Sequence, residues 1–241
     1  MAATAHLDDH GHNEALHHQF EDIDQQNESY IVGMWTFLVT EVMFFGALFF
    51  VYTLYRSMYQ MDFFLAHESL DVLQGGFNTV VLLISSWTMA VAVRHAQLHA
   101  VSAHDPVKSG RERRAVLINL GITLVCAVIF LVVKFFEYQA KFDHHLYPGP
   151  NFGSKVEYLH GATPNHAQIF FGLYFGMSGL HAIHIIAGIL VIGALMRLWI
   201  NRAKSVTLDY VPTELIGLYW HFVDLVWIFL FPLMYLMPRP H

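Results

Sequence analysis

The sequence predicts an all-α fold: an integral membrane bundle of five transmembrane helices with a cytoplasmic N-terminus. Of its 241 residues 55% are apolar and only 13% are charged, too greasy a profile for a soluble domain of this size. The apolar residues also fall into five long runs, and a hydrocarbon core about 30 Å thick takes roughly 20 such residues per helix.

Taken in order, residues 1–29 form a polar tail. They hold His6, His10, His12, His17 and His18 among seven acidic residues, with no Lys or Arg and no apolar core. That pattern is not a signal peptide. Clustered histidines can bind divalent metals, but the tail lacks the fixed ligand spacing of a zinc finger, which favours a solvated arm. Residues 30–241 form the membrane domain. Its apolar runs span 31–55, 76–94, 116–138, 168–196 and 215–236, with edges that hydropathy places only to within a few residues. Breakers separate them: Gly75-Gly76, the stretch HDPVKSGRERR, the stretch YPGPNFGS and Pro212. No internal repeat is visible. The single cysteine, Cys126, lies inside an apolar run, which excludes a disulfide framework and points to helix packing.

Cations set the orientation. With the N-terminus inside, Arg94, Lys108, Arg111, Arg113, Arg114, Arg197, Arg202 and Lys204 lie on the cytoplasmic side, against Arg56, Lys141, Lys155 and Arg239 outside. Eight against four satisfies the positive-inside bias.

Ionisable groups deep in a bilayer cost several kcal/mol, so each is a functional candidate whose partner must be found. Glu41 lies about ten residues into the first run, roughly 15 Å deep at 1.5 Å per residue, too deep for a short carboxylate to reach the interface. Lys134 and Glu137 are three apart on one face of the third run, which suits an ion pair or snorkelling. His181 and His184 on the fourth run, and His221 and Asp224 on the fifth, form pairs whose faces should look inward. A metal or haem site is one reading, but no Glu-x-x-His pair occurs within these spans, and two histidines on one helix cannot ligate both faces of one haem. A hydrogen-bonded cluster joining helices is the stronger reading. Gly172, Gly176, Ser178, Gly179, Ala182, Ala187 and Gly188 would let helices approach closely, and Asn78, Ser85 and Ser86 suit the same role. By residue count Glu41, Asp224, His181 and His184 share one mid-membrane layer, and Glu41 is expected to bond His181 or His184.

These segments, in this order, resemble the subunit III family of the haem-copper cytochrome c oxidases. The anchors are WTFLVTEVMFF, FNTVVLLISSWTMAVAVRHA, KFFEY, SGLHAIHIIAG and YWHFVDLVWIFLFPLMYL. A Trp-His-Phe-x-Asp run in a terminal membrane helix has no generic physical explanation. The resemblance covers 31–238 and leaves out the tail.

The resemblance implies a non-catalytic chain beside subunit I, which carries the haems, the copper of the oxygen-reducing site and the proton channels. Such a chain supports proton uptake into subunit I and protects the oxidase during turnover. It implies no redox cofactor or metal site here, with haem and copper in partner subunits and bound phospholipid expected. Glu41 matches the family's carbodiimide-reactive carboxyl; Glu137, His181, His184, His221 and Asp224 match its signature positions. The implied partners are subunit I, other oxidase subunits, a larger respiratory supercomplex and membrane lipid, with no nucleic acid. The implied location is the bacterial inner membrane. Seven-helix members have two further N-terminal helices that form one wall of a lipid cleft; that pair is absent from the pattern here, so lipid-site residues do not transfer. Five-helix third subunits of quinol oxidases, and a relative associated with nitric oxide reductase, are the close alternatives, though the Glu of TEVMFF leans towards the cytochrome c branch. A proton-relaying transporter would show matched repeats or broken helices.

The cationic bias yields a direct test: a cysteine placed at position 10 should resist an impermeant thiol reagent in intact cells and react only after permeabilisation.

Overall fold

The computed structural model describes residue 20 and residues 22–102, 105–149, 152, 159–207 and 209–238. The histidines of the tail lie outside them. The helices are α1 (Ile23–Met58), α2 (Gln60–His67), α3 (Val72–Val101), α4 (Pro106–Asp143), α5 (Pro164–Ile200), α6 (Lys204–Thr207) and α7 (Val211–Tyr235). Five of them, α1, α3, α4, α5 and α7, are long and apolar enough to cross a membrane. There is no strand among the described residues.

α1, α3, α4 and α5 outrun the apolar stretches that announced them, and at α1, α3 and α4 an aspartate caps the longer helix where hydropathy stops. α1 begins at Ile23 rather than near 31, with the Asp22 carboxylate accepting from Gln25 N at 2.7 Å. Asp71 caps α3 through Leu73 N and Gln74 N, and Asp105 caps α4 through Val107 N and Lys108 N, with Pro106 in the first turn. Pro164 opens α5 and Pro212 lies in the first turn of α7.

The sequence reading had no counterpart for α2, which follows directly from α1 and packs on α5. It buries Phe63 and Ala66. Its Asp62 reaches across to the start of α5, accepting from Thr163 N at 2.8 Å and sitting 2.6 Å from His166 Nδ1. Burial pushes the Asp62 carboxyl upwards, yet the Thr163 and His166 contacts outweigh it and hold it below the usual aspartate range.

α3, α4, α5 and α7 close into a ring in which each helix packs on the next, and α1 leans on α5 and α7 from outside. The ring encloses the core: Trp220 and Trp227 of α7, Phe130 of α4, and Tyr174, Met177 and Ile185 of α5 are fully buried. α1 contributes little. Apart from Gln26 it buries Leu38, Phe45 and Tyr52, a seven-residue spacing that draws one narrow seam. Its other faces leave Val32, Met43 and Phe50 more than 60% exposed.

Small residues permit three close approaches. A Cβ on Gly75 would meet Phe231, one on Gly217 would meet Val93, and one on Gly188 would lie 2.6 Å from Trp220 Cζ3. Of the small residues singled out on α5, Gly188 is the one at such a contact; Gly176 has open space beside it. The Trp220 ring is fully buried and has nowhere to retreat. Gly188→Ala should therefore cost about 1 to 3 kcal/mol by overpacking, while Gly176→Ala should be neutral or slightly stabilising; detergent unfolding curves of the two variants check the contrast.

Candidate functional site

Glu41 and His184 meet where α1 leans on α5. Glu41 is three residues after Leu38 and four before Phe45, so helical spacing puts it on the buried seam of α1. Its Oε2 lies 3.2 Å from His184 Nε2, and both side chains keep a little exposure. The Phe45 ring sits edge-on to the imidazole, and Tyr219 OH donates to the His184 carbonyl at 3.0 Å. The expected choice between His181 and His184 therefore falls on His184.

The other imidazole nitrogen determines the proton inventory. His184 Nδ1 is 2.8 Å from the Leu180 carbonyl, which can only accept, so Nδ1 carries a proton. Nε2 then either accepts from a protonated Glu41 or donates to an ionised one. In both states the pair shares one proton and carries no net charge.

Of the two carboxyls and two imidazoles expected in one layer, Glu41 and His184 are the pair that is hydrogen-bonded together. His221 Nδ1 sits 2.7 Å from Ser86 Oγ, which joins α7 to α3. Asp224 is buried beside the Ser85 and Ser86 hydroxyls. His181 is fully buried, edge-on to Phe130 and tilted against Trp227, and neither ring nitrogen has a hydrogen-bond partner among the described residues. Azimuth was not legible from residue counts: His181 and Asp224 are buried within the ring, whereas His184 and His221 are partly exposed at its edge. Among the described residues no three His, Cys, Asp or Glu side chains converge in the manner of a metal ligand set.

Lys134 and Glu137 form the ion pair the sequence suggested, but not at an interface. Lys134 Nζ donates to Glu137 Oε2 at 2.9 Å, and both residues are only 3% exposed, which rules out snorkelling. The pair lies between α4, α5 and α7. Lys134 also donates to Tyr235 OH at 2.8 Å, while Glu137 accepts from Tyr174 OH at 2.8 Å and from Tyr235 OH. Rings of Trp227, Tyr174, Tyr235 and Tyr138 stand 4.9 to 5.6 Å from the ammonium. Sequence reading missed these tyrosines. The available signal was stoichiometric: a buried ammonium and carboxylate have more donors and acceptors than one bond can satisfy.

A family model described as Cytochrome c oxidase subunit III matches residues 151–238. The chain is 30% identical to Cytochrome c oxidase subunit 3 of Synechocystis sp. over 85% of this chain and 74% of that one. It is 27% identical to the Cytochrome bo(3) ubiquinol oxidase subunit 3 of Pseudomonas putida, covering 86% of this chain and 85% of the relative. It is 28% identical to the Heme-copper oxidase subunit I+III of Aeropyrum pernix over 85% of this chain and 22% of that much longer protein.

The buried pair makes a quantitative test. Lys134→Met strands the Glu137 carboxylate and should cost about 3 to 5 kcal/mol, whereas Lys134→Met combined with Glu137→Gln should recover much of that loss. Unfolding of the three proteins in mixed micelles measures the difference.

Proposed function

The chain belongs to the cytochrome c oxidase subunit III family, and from that membership we propose that it is the non-catalytic third subunit of a cytochrome c oxidase in a bacterial inner membrane. It is a multi-pass subunit of a haem-copper oxidase, an oxidoreductase complex in which subunit III works with subunit I. The observation that carries the finer reading is the match to the cyanobacterial subunit 3 over most of both chains. The Glu of TEVMFF supports it.

In this reading the haems and copper reside in partner subunits, and this chain steadies proton uptake and prolongs turnover. The tail faces the cytoplasm, in keeping with the cationic bias. The relative named subunit I+III supports adjacency, since its name joins the two subunits in one protein. Lipid tails and protein are equally apolar, so exposed apolar faces serve both; α1 and α4 have the faces for a seam with subunit I, α1 through Met43 and Phe50, and α4 through Val125 and Phe135. Bound phospholipid and membership of a respiratory supercomplex belong to the same reading. Within it Glu41 and His184 form a proton-bearing pair, and Glu137, His181, His221 and Asp224 hold the ring that orients it.

A second reading is also favoured by a match. The Pseudomonas putida relative is a ubiquinol oxidase subunit, so the assembled complex should be assayed with both reduced cytochrome c and quinol. Deleting this chain should leave oxygen reduction intact at first and shorten its persistence through successive turnovers. An oxidase that keeps full activity without the chain overturns the role.

A further inference from the structure

A second polar site lies at the end of the ring where α4 and α7 begin and α3 and α5 end. There α3, α4 and the α5–α6 turn enclose a pocket of about 360 Å³ whose polar lining includes His99, Ser109, Arg113, Arg202 and Thr207. Among the described residues no carboxylate lines it. The nearby carboxylate of Glu112 is already engaged, 2.5 Å from His95 Nδ1 and 3.3 Å from Arg111 Nη2. Asp105 is turned to the amides of Val107 and Lys108.

The pocket is built rather than incidental. Arg113 is anchored in place, donating from Nε to the Trp199 carbonyl at 3.0 Å and from Nη2 to the Ile200 carbonyl at 2.8 Å. Those bonds use one edge of the guanidinium and leave its other amine free to bind. His99 is only 7% exposed and packs edge-on against Trp199. Its Nε2 lies 3.0 Å from Ser109 Oγ, while Nδ1 is buried facing the Thr207 backbone. Arg202 holds a left-handed backbone, φ 53°, directly after the end of α5. Its side chain is exposed and free to swing over the mouth.

We propose that this pocket binds the phosphate group of an anion, with Arg113 and Arg202 supplying charge and Ser109, oriented by His99, supplying a hydrogen bond. Two neighbouring guanidiniums at a helix-bundle end can turn paired N–H donors towards the several oxygens of a tetrahedral phosphate. Basic pockets between transmembrane helices on the cytoplasmic side suit lipid head groups, and a soluble phosphate presents the same chemistry. The proposal is independent of the oxidase reading and concerns this chain alone.

The full chain, purified in dodecyl maltoside and stripped of lipid, is titrated with phosphatidylglycerol and with phosphatidylcholine of matched chains, and binding is counted by native mass spectrometry. In parallel, thermal stability is followed with inorganic phosphate against chloride at constant ionic strength. Arg202→Gln should weaken the preferred anion about fivefold, Arg202→Glu more, and Arg202→Lys less. Arg202 is exposed, so these variants leave the core intact. A phosphatidylglycerol preference that Arg202→Glu abolishes supports the lipid source; stabilisation by inorganic phosphate that the same variant abolishes supports the soluble one. Equal binding of both anions by wild type and Arg202→Glu overturns the site.

Discussion

The constraint on which this structure depends is that the bilayer interior offers polar groups no water. A side chain that must be satisfied there has to find its partner within the protein, and the bonds that cross between helices trace the packing order. Thr88 and Thr123, 2.8 Å apart, join α3 to α4; Tyr138 and Ser178, 2.6 Å apart, join α4 to α5. α7 is tied to α3 through Trp220 to Ser85 and Trp227 to Thr79, and to α5 through Tyr219 and the His184 carbonyl. The Lys134 and Glu137 cluster spans α4, α5 and α7 together. Interhelical bonds of this kind are individually modest, but every neighbouring pair in the ring has at least one, so alternative orders of packing would leave several unmet at once.

α1 is the exception that the same logic explains. It reaches the ring along one seven-residue seam, and its polar ties are few: Glu41 to His184, and Tyr52 OH to the Leu233 carbonyl at 2.9 Å. A helix fastened so narrowly presents most of its circumference outward. In lipid that circumference gains nothing from burial against another apolar surface except through close packing, which gives α1 the adaptability of a docking element while the ring stays rigid.

Much of this was legible in the sequence, because a membrane span is written in length and hydropathy. The five helices were found, although α1 and α4 outran their predicted limits through caps and polar turns that hydropathy does not weigh. The spacing of Lys134 and Glu137 allowed an ion pair or snorkelling, and burial decided for the pair. Rotation about each helix axis was the missing coordinate. Without it His181 and His184 could not be told apart, and Tyr174 and Tyr235 gave no sign that they complete the ion pair. α2 was missed because its eight residues follow α1 without a Gly or Pro to mark the break.

The proton shared by Glu41 and His184 has an electrical consequence. Glu41 stands half-way along α1, where an isolated carboxylate would sit well inside the transmembrane field, and a full charge crossing that field is worth about 2.3 kcal/mol per 100 mV. A pair of zero net charge presents the field with a dipole only, so energising the membrane does little work on it. Voltage acts on this place only when its proton departs or a second one arrives, and at that moment the seam between α1 and the ring acquires a charge it did not have before.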